Sequence, residues 1–185
     1  NRPLPQLNYY QEKEPFKRLN HGSRSWNPPG DIDYIHQLGG LEKQGDWGKV
    51  SYDAKNHEQM NHIRLEKLQH MDFETAYEFS PSSENTHLFV SWGSTFGIMK
   101  LLVDELNEQN TTKVAWLHLR YLNPFAPNLE ELIKSYSNVL VFELNSGQLC
   151  DLIRSQYLVD AKAIHQCNGK PFSYELLLEN TKKHI

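Results

Sequence analysis

Three short apolar runs, Leu88 to Trp92, Val114 to Leu119 and Val139 to Leu144, are each followed by apolar residues spaced for one face of a helix. A strand that reads as a continuous apolar run is buried on both faces. Its alternation with helices of about ten to fifteen residues is the pattern of a parallel sheet covered on both sides. The helical faces are Phe96, Met99, Leu102, Val103 and Leu106, then Leu129, Leu132, Ile133 and Tyr136 behind Pro127 at a first helical position, then Leu149, Leu152, Ile153 and Tyr157. Ala161 to Cys167 reads as a weaker fourth strand, and Ser173 as the cap of a last helix through Leu176 and Leu177. The expected fold is a three-layer α/β/α domain over residues 85–185.

Residues 1–84 read differently. Up to about Val50, Pro3, Pro5, Pro15, Pro28 and Pro29 interrupt any helix, and Gly30, Gly39, Gly40, Gly45 and Gly48 mark turns. Tyr9, Tyr10, Phe16, Trp26, Tyr34 and Trp47 make the segment too aromatic for a free linker, so it is expected to lie against a neighbouring domain. Asp53 caps a helix expected from Ala54 to Met71, whose apolar stripe of Met60, Ile63, Leu68 and Met71 is narrow. Phe73 to Phe79 reads as a short edge strand, and Ser80 to Ser83 as a loop.

Composition excludes several classes. A net charge of -4 with thinly spread Lys and Arg provides no basic face for nucleic acid and no polybasic patch for a membrane surface. No stretch approaches the roughly 20 apolar residues of a spanning helix, and the first residues lack the apolar core of a secretory signal. The two cysteines, Cys150 and Cys167, are too few for a disulfide framework, a cluster or a four-thiolate zinc site, and read as small buried apolar residues. A cytoplasmic protein is expected, and the start at Asn1 without an initiator Met is expected of an excised segment. His57, His62 and His70 lack metal-ligand spacing.

Ligand-facing groups of a parallel sheet collect at the carboxyl ends of its strands. At the first end, Gly93 permits a tight turn and Ser94 or Thr95 caps the helix, where amides and helix dipole attract an anion. GSTFG lacks the spacing of a dinucleotide loop and the Lys of a phosphate loop, so capping is the stronger reading. At the second, His118 and Arg120 share a strand face: Arg120 either clamps an anion or pairs with an acid across an interface, the latter being favoured, and His118 reads as a satisfied histidine. At the third, Glu143 ends an apolar strand and must accept hydrogen bonds from the next turn or a partner, Asn145 suits the turn, Gly147 opens the helix and Gln148 follows. Gly93, Ser94, Thr95, His118, Arg120, Glu143, Asn145, Gly147 and Gln148 are therefore candidate interface or anion contacts, and no residue is assigned a catalytic role.

VSWGSTFG, VAWLHLRYLNPF, VLVFELNSGQL and NGKPF, in this order, resemble the carboxyl-terminal region of the alpha subunit of 2-oxoacid:ferredoxin oxidoreductases, particularly the 2-oxoglutarate type. GGLEKQGDWGKVSYDAKNHEQMNHIRLEKL resembles the segment joining that region to the preceding domain, so the resemblance runs from about Gly39 to Phe172. It implies a domain similar to the transketolase carboxyl-terminal domain, with a mixed, mostly parallel sheet. It also implies a holoenzyme that decarboxylates a 2-oxoacid with thiamine diphosphate and magnesium, passes electrons through iron-sulfur clusters to ferredoxin and forms an acyl-coenzyme A. The implied partners are the upstream domain of the same subunit and a beta subunit, and the domain's implied role is packing rather than chemistry. The alternative class is a free-standing regulatory module holding an anionic metabolite at the strand ends.

Overall fold

The computed structural model describes residues 18, 22–24, 30, 32, 39–45, 48–69, 73–74, 76–82, 86–109 and 112–185. The aromatic residues expected to bind the first segment to a surface, and His70 and Met71, lie outside the described residues. The chain divides into two compact units, Asn1–Met71 and Asp72–Ile185.

In the first unit, helix α1 runs Ala54–Gln69. Asp53 caps it as its sequence position requires: the carboxylate Oδ1 accepts the Asn56 amide at 2.8 Å, a bond worth about 1 kcal/mol. The expected apolar stripe is thinner still, since only Met60 and Asn56 are buried on this helix and Leu68 is 39% exposed. Polar bonds do the joining instead. A turn closes through the Lys43 to Val50 bridge and the Gln44 amide bond to Lys49 O. It is held to α1 by Glu42, which accepts from Arg64 at 2.9 Å and lies 3.1 Å from the His57 ring. Burial pushes the Glu42 carboxyl up, but the bonds from Arg64 and His57 outweigh it and leave the group below its ordinary value.

The second unit is a five-stranded sheet in the order β1-β3-β2-β4-β5. Its strands are β1 (Tyr77–Ser80), β2 (His87–Trp92), β3 (Val114–Leu119), β4 (Asn138–Glu143) and β5 (Ala161–His165); its helices are α2 (Phe96–Glu108), α3 (Leu129–Lys134), α4 (Gln148–Tyr157) and α5 (Tyr174–Lys182). β2 to β5 are parallel, and β1 is an antiparallel edge strand on β3. The sheet is thus mixed and mostly parallel, as expected. From β2 the chain steps outward to β3, then returns across β2 to β4. Right-handed crossovers put the two connecting helices on opposite faces when the direction of travel reverses. Accordingly Met99, Leu102, Val103 and Leu106 of α2 pack with Leu177 of α5 against Phe89, Trp116, Leu140 and Phe142. Leu129 and Ile133 of α3 and Leu149, Ile153 and Tyr157 of α4 pack on the other face, against Leu88, Val90, Leu117 and Val141.

Some boundaries differ from the sequence expectations. The edge strand begins at Tyr77, not Phe73, because Phe73 and Ala76 turn into the core before pairing starts. β5 ends at His165, and Cys167 is exposed rather than buried. Pro127 stands in a turn before α3, whose first helical residue is Leu129. Leu152 is 40% and Leu176 57% exposed, so both helical faces are narrower than the spacing implies.

Candidate functional site

The carboxyl ends of β2, β3 and β4 lie along one edge of the sheet, with Ser91 opposite both His118 and Phe142. Because α2 leaves β2 on one face and α4 leaves β4 on the other, the point between these two neighbouring strands is the topological switch of the sheet. There an open parallel sheet forms its crevice. The turns that follow β2 and β4 flank it, and the turn after β3 sits on the far side of β2.

The turn after β4 is closed by its own side chains. Glu143 is fully buried, and its two carboxylate oxygens accept the Leu149 amide at 2.9 Å and the Cys150 amide at 3.0 Å. Asn145 Oδ1 accepts the Gly147 amide at 2.8 Å and the Gln148 amide at 3.4 Å, and Gln148 Oε1 accepts the Ser146 amide at 3.0 Å. Every amide from Ser146 to Cys150 is taken up. The positive end of the α4 dipole thus faces a carboxylate of the same chain, which stabilises both. Glu143 satisfies its burial through the next turn, one of the two routes its sequence position allowed. Gly147 adopts φ +99°, a left-handed conformation that glycine enters without strain.

The turn after β2 is open. Gly93 takes φ +61° and leads through a single 3-10 turn, Gly93–Thr95, into α2. Neither Ser94 nor Thr95 caps the helix by its side chain. Thr95 is buried, and its hydroxyl donates back to Trp92 O at 2.7 Å, because the tight turn brings that carbonyl within reach. Ser94 is exposed, and a Cβ on Gly93 would meet nothing within 4 Å.

At the third end, Arg120 forms an ion pair with Glu78 of β1 within this chain rather than across an interface, and its amide donates to Ala76 O at 2.8 Å. His118 is buried, with Nδ1 2.8 Å from Ser91 Oγ. Trp116 Nε1 donates to the same hydroxyl at 2.8 Å, and Phe96 stands edge-on to the imidazole, centroids 4.9 Å apart. Burial holds the imidazole below its ordinary value, while Glu78 raises it and Arg120 lowers it further. Ser91 and Trp116 were not evident as polar partners, since each lies inside an apolar run. The signal was present in the spacing: a serine in a two-faced buried strand requires a partner, and the neighbouring run holds Trp116 and His118 on one face.

Cys150 is buried, and burial with the Glu143 charge pushes its thiol up to about 11. Such a thiol is inert. Among the described residues no group of three or more His, Cys, Asp or Glu side chains is placed to hold a metal ion. No helix among them is long and apolar enough to cross a membrane.

Residues 86–177 match the family model described as pyruvate:ferredoxin oxidoreductase core domain II. Over 150 residues, 81% of this chain, the sequence is 35% identical to the 2-oxoglutarate oxidoreductase subunit KorA of Mycobacterium tuberculosis. It is 26% identical over 151 residues to the alpha subunit of 2-oxoacid:ferredoxin oxidoreductase 1 of Sulfurisphaera tokodaii. The chain spans 23% of the length of each of these relatives. The solved 2-oxoglutarate:ferredoxin oxidoreductase of Magnetococcus marinus, with 2-oxoglutarate, coenzyme A and succinyl-CoA bound, shares the fold at a TM-score of 0.81 and 24% identity. That match covers 96% of this chain and 32% of that one. Residues 86–177 are thus a member of the pyruvate:ferredoxin oxidoreductase core domain II family, carried in a chain homologous to a segment of 2-oxoacid:ferredoxin oxidoreductase alpha subunits.

Proposed function

We propose that this chain is part of the alpha subunit of a cytoplasmic 2-oxoacid:ferredoxin oxidoreductase acting on 2-oxoglutarate, and that its role is to pack against neighbouring domains and a beta subunit. The observation that carries this reading is the 35% identity to the mycobacterial 2-oxoglutarate oxidoreductase subunit over 81% of the chain. In this reading residues 1–84 join and cover a neighbouring domain, and residues 85–185 form the docking domain. Gly93, Ser94, Thr95, His118, Arg120, Glu143, Asn145, Gly147 and Gln148 shape its strand-end surface. Thiamine diphosphate, magnesium and the iron-sulfur clusters belong to other parts of the holoenzyme, which would reduce ferredoxin and form an acyl-coenzyme A.

The internal bonding of the strand ends supports packing over ligand capture. The α4 amides are spent on Glu143, Asn145 and Gln148, and Arg120 is spent on Glu78. A regulatory anion module would require those groups to be free. The test is deletion of residues 85–185 from the full-length subunit. Loss of assembly with the beta subunit, and of 2-oxoglutarate-dependent ferredoxin reduction, is expected; a fully assembled and active complex overturns the reading. A thermal-shift panel of phosphate, nucleotides, 2-oxoacids and coenzyme A tests the module, and a raised midpoint at millimolar ligand would favour it.

A further inference from the structure

The loop after β5 carries a chemical feature that the packing role does not use. Asn168-Gly169 is the one Asn-Gly pair in the chain. Both residues are exposed, Gly169 takes φ +74°, and no side chain stands within 4 Å of where its Cβ would be. Asn168 Oδ1 accepts two hydrogen bonds, from Gln166 Nε2 at 2.8 Å and from the Lys170 amide at 3.0 Å. Among the described residues, none accepts the Gly169 amide proton. The loop therefore presents a polarised amide carbonyl, an unshielded leaving group and an uncommitted nitrogen one residue on.

We infer that Asn168-Gly169 is a self-modification site, at which the side-chain amide is lost through a cyclic imide and the chain is converted to aspartate or isoaspartate. The Gly169 nitrogen gives up its proton and bonds to Cγ of Asn168. The bond from Cγ to Nδ2 breaks, and ammonia leaves with the proton that Gly169 released. Water then opens the ring at either carbonyl, and no oxidant or reductant takes part.

The consequence lies in what the loop holds. Gln166 Nε2 also donates to Lys170 O at 3.0 Å and Pro171 O at 3.2 Å, and so clasps the segment that leads through the partly buried Phe172 into α5. Opening to isoaspartate inserts a methylene into the main chain at residue 168, between Gln166 and these acceptors, and breaks the clasp. α5 then loses its anchored entry, and its amides open more often to exchange.

The experiment ages the purified full-length protein in mildly alkaline buffer containing heavy-oxygen water, followed by peptide mapping. Expected is conversion at Asn168 ahead of every other asparagine, Asn145 before Ser146 included, with isoaspartate as a product and one labelled oxygen incorporated. Conversion elsewhere first, or aspartate without isoaspartate, overturns the inference. Gly169→Ala should abolish the lead of Asn168, but its positive φ strains alanine. Asn168→Gln therefore serves as the second variant and should give no product at this site. In aged wild-type protein, amide exchange over residues 170–182 should quicken; unchanged exchange overturns the role of the clasp.

Discussion

The turns after β2 and β4 leave adjacent parallel strands at the same edge of the sheet and both lead into helices, yet they treat the helix terminus in opposite ways. Behind β4, Glu143, Asn145 and Gln148 take up every amide from Ser146 to Cys150. Behind β2, no side chain caps α2, and Thr95 looks back to its own strand. A helix terminus is thus an anion site only where its own chain has left it free. The difference is made by a buried glutamate at the end of one strand and a tryptophan at the end of the other.

Substitutions can break this contrast. Removing the Glu143 carboxylate leaves two buried amides unpaired, each a charge-assisted bond, and Glu143→Ala should cost about 4 kcal/mol. Urea unfolding checks it, and a cost below about 1 kcal/mol would show that the terminus finds another acceptor. Asn145→Ala deletes an acceptor at a turn that water can reach and should cost about 1 to 2 kcal/mol in the same assay.

Acid should act on the end of β3, on the far side of the β2 turn. His118 is held below its ordinary value by burial, so the folded state binds its proton less readily than the unfolded state. Stability from this group is complete above the unfolded value of about 6.5 and declines as pH falls through it toward the lower folded value. A melting temperature that falls over this window in the wild type, but less in His118→Phe, would confirm the assignment. At the small end, Ser94→Ala should change stability by no more than about 0.5 kcal/mol. A larger loss would mean that the β2 turn is capped after all and that the contrast is false.

The layers were legible because β2, β3 and β4 are buried on both faces and so spell out continuous apolar runs. Glu143 was legible for a related reason: a carboxylate ending such a run must be met, and the following turn is the nearest source of amides. Thr95 was misread as a cap because the sequence cannot show that a 3-10 turn precedes α2 and turns the hydroxyl toward Trp92 O. Cys167 was read as buried because the expected β5 ran two residues beyond its last pair, His165 with Glu143. The pairing of Arg120 with Glu78 required β1 to lie beside β3, a non-local fact that no spacing encodes.

Ser91, Trp116 and His118 carry a further consequence for how the sheet finds its alignment. A slip of one residue between β2 and β3 would send every side chain of one strand into the opposite core layer, where its shape does not fit, and is rejected by packing. A slip of two residues preserves every facing, and the apolar pattern has no means to refuse it. The serine hydroxyl refuses it: only with Ser91 opposite His118 do the indole, the hydroxyl and the imidazole meet. Three buried polar groups in an otherwise greasy sheet thus act as an alignment key, charging a misthreaded sheet the desolvation of each unmatched atom.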